Sequence, residues 1–378
     1  MLLVAAACGS DNGSTSSSAT TAAATAAPVA AATSAAASGQ SDCTTAATNA
    51  LQAYGQLPTK LPSSFTPLPT KPSPGGKVIK IVNGTIPADG HSADEQAVAA
   101  QAVGWSSEKI VFNGTVEDLN AKWEQAIAEK PTVITGSGWP AAALQQPLAD
   151  AQKAGIVAAL SSVTDTATAN PGLAAVSNGT EVAKLMGDIH ANLVMRDSNC
   201  KAHVAIFSLP FPILKVATDE FTSMLSSKCP DCKVTYNEIQ PKDLGSPAAT
   251  NAMVSKLQAD PSIKYAYTII GNVAAGLTTA LSQANITGVK IFGQVPDENA
   301  IKALQDGTNA WWVTQDSTIN GWMELDAALR AVESGKPVTT TENPLGVLTP
   351  ENVPKGSSTV PTYPGNFRDL FKQIWLVN

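Results

Sequence analysis

Three histidines in 378 residues leave little material for metal or acid–base chemistry. His190 falls inside an amphipathic helical pattern, His203 begins an apolar run, and only His91 sits in a loop where a ligand could reach it. Cys229 and Cys232 form a CPDC pair, but zinc would need two further ligands, and structural bridging is the better reading. The sequence has no G-x-S-x-G elbow, no H-E-x-x-H, no G-x-G-x-x-G and no Walker loop. Neither a metal nor a cofactor is therefore expected, and the chain does not read as an enzyme. Charge is sparse too, at 15% of residues with a net of −7 and no basic run. That argues against nucleic acid as a partner. No apolar run approaches the roughly 20 residues that cross a bilayer.

The opening residues point outward from the cell. Val4-Ala5-Ala6-Ala7-Cys8 places small residues before a cysteine and resembles a bacterial lipobox, with Ala5 where Leu is usual. The resemblance implies that residues 1–8 are the remnant of an export signal. Met1 is then an internal start, and Cys8 carries the lipid. Residues 9–42 follow, almost entirely Ser, Thr, Ala and Gly up to Gln40, with no aromatic residue. Such a stretch cannot offset its ordering entropy by burial and reads as a tether. A lipid-anchored, extracytoplasmic protein is expected. Four cysteines remain (Cys43, Cys200, Cys229 and Cys232), an even number that suggests disulfides with three possible connectivities.

Residues 43–76 read as an N-terminal extension with a Pro-rich connector, TKLPSSFTPLPTKPSPGG. From Lys77 short β-rich runs alternate with helical stretches. KVIKIV, KIVF, TVIT and IVAAL are strands buried on both faces, as parallel sheets require. Thr115 is placed to cap the second helix, with Asp118 three residues on. A second series follows, with strands HVAIFS, KVTYNEI, YAYTII and VKIFG. The fold class is α/β, two doubly wound parallel-sheet lobes.

Aromatics are only 5% of residues, yet Trp139 and Phe211 each follow a strand. Open α/β sheets bind ligands outside the carboxyl ends of their strands, where a ring can stack on a flat solute. From Lys77 to about Pro337 the ordered series resembles the ribose-type periplasmic sugar-binding proteins, the type I solute-binding fold. The closest echoes are DPSIKYAYTIIGNVAAGLTTALSQANITGVKIFGQVPDENAIKALQDG and QDSTINGWMELDAALRAVESGKPV. The Pro-rich lead-in and the FRDLFKQIW tail are similar to an actinobacterial branch of that family.

The resemblance implies two lobes joined by three crossovers, near Ser177-Asn178, near Gln315-Asp316 and between Val338 and Thr349, so that residues 77–177 with 316–340 make one lobe and residues 178–315 with 341–378 the other lobe and the tail. It implies a monomer that closes over one small molecule and hands it to an ABC permease in the membrane. A ligand-sensing receptor of the same fold is the alternative. Ligand contacts are expected from Thr85, His91, Trp139, Ser161, Phe211, Lys215, Asn272, Gln315 and Asp316. Of these, Gln315 matches a family glutamine that bonds ligand at the hinge, and Lys215 falls where sugar binders have Arg. Ser161-Ser162 replace an Asp-Arg pair, Ile270-Gly271 an Asn-Asp pair, and Gln294-Val295 an Asp. A simple pentose therefore fits poorly, and a less polar or aromatic solute is as good a candidate as a sugar. Adjacent strand starts would bridge Cys200 to Cys229 or Cys232, with Cys43 taking the other.

Overall fold

Six strands form each of two sheets in the computed structural model, which describes residues 42–378. Cys8 and the tether after it lie outside the described residues. The first sheet contains β1 (Lys77–Asn83), β2 (Ser106–Phe112), β3 (Val133–Ser137), β4 (Val157–Ser161), β5 (Leu173–Ser177) and β11 (Val338–Thr339). The second contains β6 (His203–Ser208), β7 (Lys233–Glu238), β8 (Tyr265–Ile270), β9 (Lys290–Gln294), β10 (Asn309–Val313) and β12 (Val347–Leu348). Their orders, β11-β5-β4-β3-β1-β2 and β12-β10-β9-β8-β6-β7, repeat one topology, and only β12 runs antiparallel to its neighbour. The sequence pattern missed β5, whose LAAVS is too short and too rich in alanine to stand out.

Burial explains which runs became central strands. Every residue of β8 is buried, and every residue of β1 after Lys77. The edge strands β2 and β7 instead alternate toward solvent, as edges must. Thr115 caps its helix as expected, its hydroxyl accepting from the Asp118 N–H at 3.3 Å. The order reverses beside β1 and beside β6, so each sheet has a switch point at its carboxyl edge.

The chain passes between the sheets at the three expected places: after β5, after β10, and between β11 and β12. The tail departs from expectation. Its helix Phe367–Ile374 packs on the first lobe and not on the second. Trp375 stacks on Trp322 at 5.3 Å and 9°, and its Nε1 donates to buried Asp326 at 2.8 Å. Arg330 joins that carboxylate at 2.7 Å and donates at 2.6 Å to the Thr66 carbonyl of the Pro-rich connector. At the other terminus Ala47 and Leu51 are buried in the core of the second lobe.

The disulfides also correct the expectation. Cys43 bonds Cys200, and Cys229 bonds Cys232. The starts of β6 and β7 are indeed adjacent, with His203 opposite Lys233. But Cys229 and Cys232 share one tight turn, the Cys232 N–H donating to the Cys229 carbonyl at 2.9 Å. They close on each other, which leaves Cys200 to the N-terminal helical stretch over residues 42–50.

Inside the second lobe His190 is fully buried between Tyr267 and Phe292, ring centroids 4.7 and 5.4 Å away. Burial pushes its imidazole down to about 3, so it is neutral at physiological pH, with Nδ1 accepting from Trp311 Nε1 at 3.2 Å. It is a core residue.

The tail helix fills a stacked aromatic seat, so removing its anchor leaves a cavity. Trp375→Ala is expected to cost about 3–5 kcal/mol in urea denaturation. A loss below about 1 kcal/mol would mean that the helix contributes little to the first lobe.

Candidate functional site

Strand carboxyl ends of both sheets converge on one cavity of about 140 Å³. Asn83 ends β1, Ser137 ends β3, Ser162 follows β4 and Asn178 follows β5 on one wall. Leu209 follows β6, Ile270 ends β8, Gln294 ends β9 and Val295 follows it on the other. Gln315, from the second crossover, closes the hinge side. Ser162, Asn178 and Val295 hold φ of 54°, 53° and 48°. For β-branched Val295 that left-handed backbone is a strained state of the kind that clusters at ligand sites.

The two walls differ in chemistry. The first-lobe wall is mostly polar, with Ile86 and Ala88 its apolar members, and is backed by an ion pair between β1 and the helix Ser317–Ser334. Lys80, 1% exposed in the middle of β1, lies 2.5 Å from Glu324 and 3.7 Å from Asp89. Its ammonium also donates to Ser92 at 3.0 Å. Asp89 accepts from the Asn83 N–H at 2.7 Å and from the Ser137 hydroxyl at 2.5 Å. Burial pushes the Glu324 carboxyl above the usual range, and Lys80 opposes the shift. The second-lobe wall is hydrocarbon: Met186, Leu209, Phe211, Ile213, Leu214 and Ile270, with Gln294 its polar exception.

Glu324 reaches the cavity because its helix, Ser317–Ser334, lies almost in contact with the helix Pro87–Ala102. A Cβ on Gly321 would meet the Ser92 carbonyl at 2.3 Å, so only glycine permits that approach. Asp316 starts the same helix, its Oδ1 accepting from the N–H groups of Thr318 and Ile319 at 2.7 and 3.2 Å. Its Oδ2 is buried without a hydrogen-bond partner, and burial lifts the carboxyl to about 6.

The structure gathers some of the nine expected ligand residues and scatters others. Phe211 and Gln315 line the cavity. Thr85 and Trp139 line an adjoining recess that also touches Phe211. The indole and the phenyl ring meet edge to face at 6.3 Å and 79°, one from each lobe. They bridge the cleft and do not offer their faces to a solute. His91 and Asn272 line a second adjoining recess, where His91 is hydrogen-bonded to Thr318 at 3.0 Å. Ser161 is buried in the strand, and its neighbour Ser162 faces the cavity. Lys215 points to solvent and pairs with Asp219 one turn along its own helix at 2.6 Å. Asp316 is a helix cap and does not line the cavity.

Sequence reasoning missed Asp89, Glu324, Asn83 and Asn178. One signal was available. A lysine at the centre of a strand buried on both faces requires a carboxylate partner in the interior. ELDAAL, an acidic pair inside an apolar helix, was the place to look. Among the described residues no group of His, Cys, Asp and Glu is arranged to hold a metal. Nor is any helix there long and apolar enough to cross a membrane.

Residues 79–337 match the family model for the periplasmic binding protein domain, and the chain belongs to that family. No curated protein matches the sequence. Solved structures share its fold at low identity. A glucose-galactose binding protein from Geobacillus stearothermophilus superposes with a TM-score of 0.62 at 18% identity, over 75% of this chain and 100% of that one. A solute-binding protein of an ABC transporter from Burkholderia graminis, in complex with D-arabinose, gives 0.64 at 17% over 76% and 100%. Another from Agrobacterium vitis, with bound allitol, gives 0.63 at 19% over 74% and 98%. The fold is the type I periplasmic binding protein fold, and the family is one of binding proteins and not of enzymes.

Asp316 gives a pH test with a definite sign. Its folded pKa of about 6 is above the ordinary 3.8. The stability tied to its protonation is complete below the ordinary value and is lost as pH rises through about 6. Asn keeps the helix cap and removes the charge. Asp316→Asn is therefore expected to be more stable relative to wild type at pH 8 than at pH 4. The gap between the two conditions should be about 2.4 kcal/mol by urea denaturation. A pH-independent difference would show that this carboxyl does not titrate abnormally.

Proposed function

We propose that this chain is an extracytoplasmic receptor that closes over one small solute and presents it to an ABC permease. In this reading Cys8 carries the lipid and residues 9–42 let the receptor reach its partner. The observation that carries it is the cavity, built from strand ends of both lobes and from the segments that join them. Contacts split across a hinge favour the closed state, and differential affinity for open and closed forms is what shifts such an equilibrium. Edge-to-face contact of Trp139 with Phe211 joins the two lobes across the cleft.

The lining bears on the solute. A pentose carries hydroxyls around its whole rim, and one wall here offers it almost nothing to bond. Each hydroxyl buried without a partner costs about 1–3 kcal/mol. A solute with one polar and one apolar face fits better, whether a modified sugar or a less polar ring compound. The same closure would serve a sensing receptor.

A panel of sugars and small aromatic compounds is expected to contain at least one that raises the melting temperature. Saturation at one hundred times Kd stabilises by about 2.7 kcal/mol. The same compound should reduce the radius of gyration in solution scattering. A panel without thermal or scattering response would remove the receptor reading.

A further inference from the structure

Among the described residues, Asp89 and Glu324 are the only charged side chains that line the cavity, and both are carboxylates. From this imbalance we infer the class of the solute: a small organic cation, an ammonium group on a compact apolar body. The inference rests on the receptor reading above and narrows it.

The charge is not cancelled from behind. Lys80 is the one cation among the described residues in contact with the two carboxylates, and it does not line the cavity. It lies at 2.5 Å from Glu324 but at 3.7 Å from Asp89. The remaining bonds to Asp89 come from neutral donors, the Asn83 N–H and the Ser137 hydroxyl. Two carboxylates, on groups 8% and 4% exposed, thus share a single ammonium at the cavity wall. A third acceptor joins them. Gln315 is 1% exposed, lines the cavity, and its Oε1 is buried without a hydrogen-bond partner.

An ammonium supplies three donors and no acceptor, which complements such a wall. Bonds between charged donors and carboxylates are roughly twice as strong as neutral ones. On the facing wall the one amide, Gln294, already has its Oε1 engaged by the Tyr267 hydroxyl at 3.2 Å. Met186, Leu209, Ile213 and Ile270 there suit hydrocarbon. The size is also set. A cavity of about 140 Å³ is close to the roughly 150 Å³ apolar cavity that accepts benzene. One six-membered ring with a short aminoalkyl arm fills that description.

Isothermal titration of the full chain with benzylamine, benzyl alcohol, D-arabinose and D-glucose tests this. Benzylamine and benzyl alcohol differ by little besides the charge. Benzylamine is expected to bind at least tenfold tighter than the alcohol, with an affinity that falls as salt rises. Asp89→Asn should bring that ratio toward one. Should the variant fail to fold, the wild-type ratio and its salt dependence still decide the matter. Equal or tighter binding of benzyl alcohol overturns the inference. So does binding of either sugar without benzylamine, although the receptor reading then survives. Silence from all four probes overturns it as well, and the broader panel then decides whether a receptor remains.

Discussion

A lysine buried in the middle of a parallel strand is costly unless a carboxylate meets it, because a desolvated charge without a partner costs several kcal/mol. Lys80 meets Glu324, and that pair fixes the helix Ser317–Ser334 against β1. The geometry of the site depends on it. The same helix starts at Asp316, next to Gln315, and carries Asn320, whose Oδ1 accepts from the Gln315 amide at 3.3 Å. Its other face carries Trp322 and Asp326, which seat the tail. A hydrophobic pair of the same volume would hold the helix as firmly. It would not bring charge to the edge of the cleft.

The two lobes repeat one topology but have diverged in chemistry. The cavity-lining residues at the carboxyl ends of equivalent strands are Asn83 and Ser137 in one lobe, Leu209 and Ile270 in the other. The first lobe can therefore orient a polar group, while the second can only cover what is already held. Such a division suits a hinge. On the proposed receptor reading, directional hydrogen bonds would select the solute in the open state, and non-directional apolar burial would then drive closure.

How much of this was legible in the sequence depends on which physical signal each feature leaves. KVIKIV, HVAIFS and YAYTII announce parallel strands because burial on both faces demands unbroken apolar runs. Alternation of such runs with helices fixes the topology almost uniquely. Gln315 was reached through the family resemblance, which implies a glutamine at the hinge, and it does line the cavity. Asp89 and Glu324 were not legible, because each lies in a helix where a carboxylate usually faces water. Only the packing of two helices around Gly321 turns them inward. Lys215 failed for the converse reason: its place in the series was right, but its side chain leaves the helix on the solvent side. The cysteine pairing failed because strand adjacency does not specify which sulfur a neighbouring helix will reach.

Hinge mechanics follow from how the crossovers hold one another. Thr314 of the second crossover exchanges hydrogen bonds with Gly346 of the third at 2.9 and 2.7 Å. Asn343 of the third donates to Asn178 of the first at 3.1 Å, and Asn178 donates onward to Ser162 at 2.7 Å. The third crossover is thus the middle member of a bonded set, and the three bend as one unit. Two further segments pass between the lobes, one from Leu51 to Phe65 and one from Leu348 to Phe367. They keep each terminus seated on a lobe. Ser162 and Asn178 belong both to the bonded set and to the cavity wall, so a solute that bonds either one acts directly on the hinge.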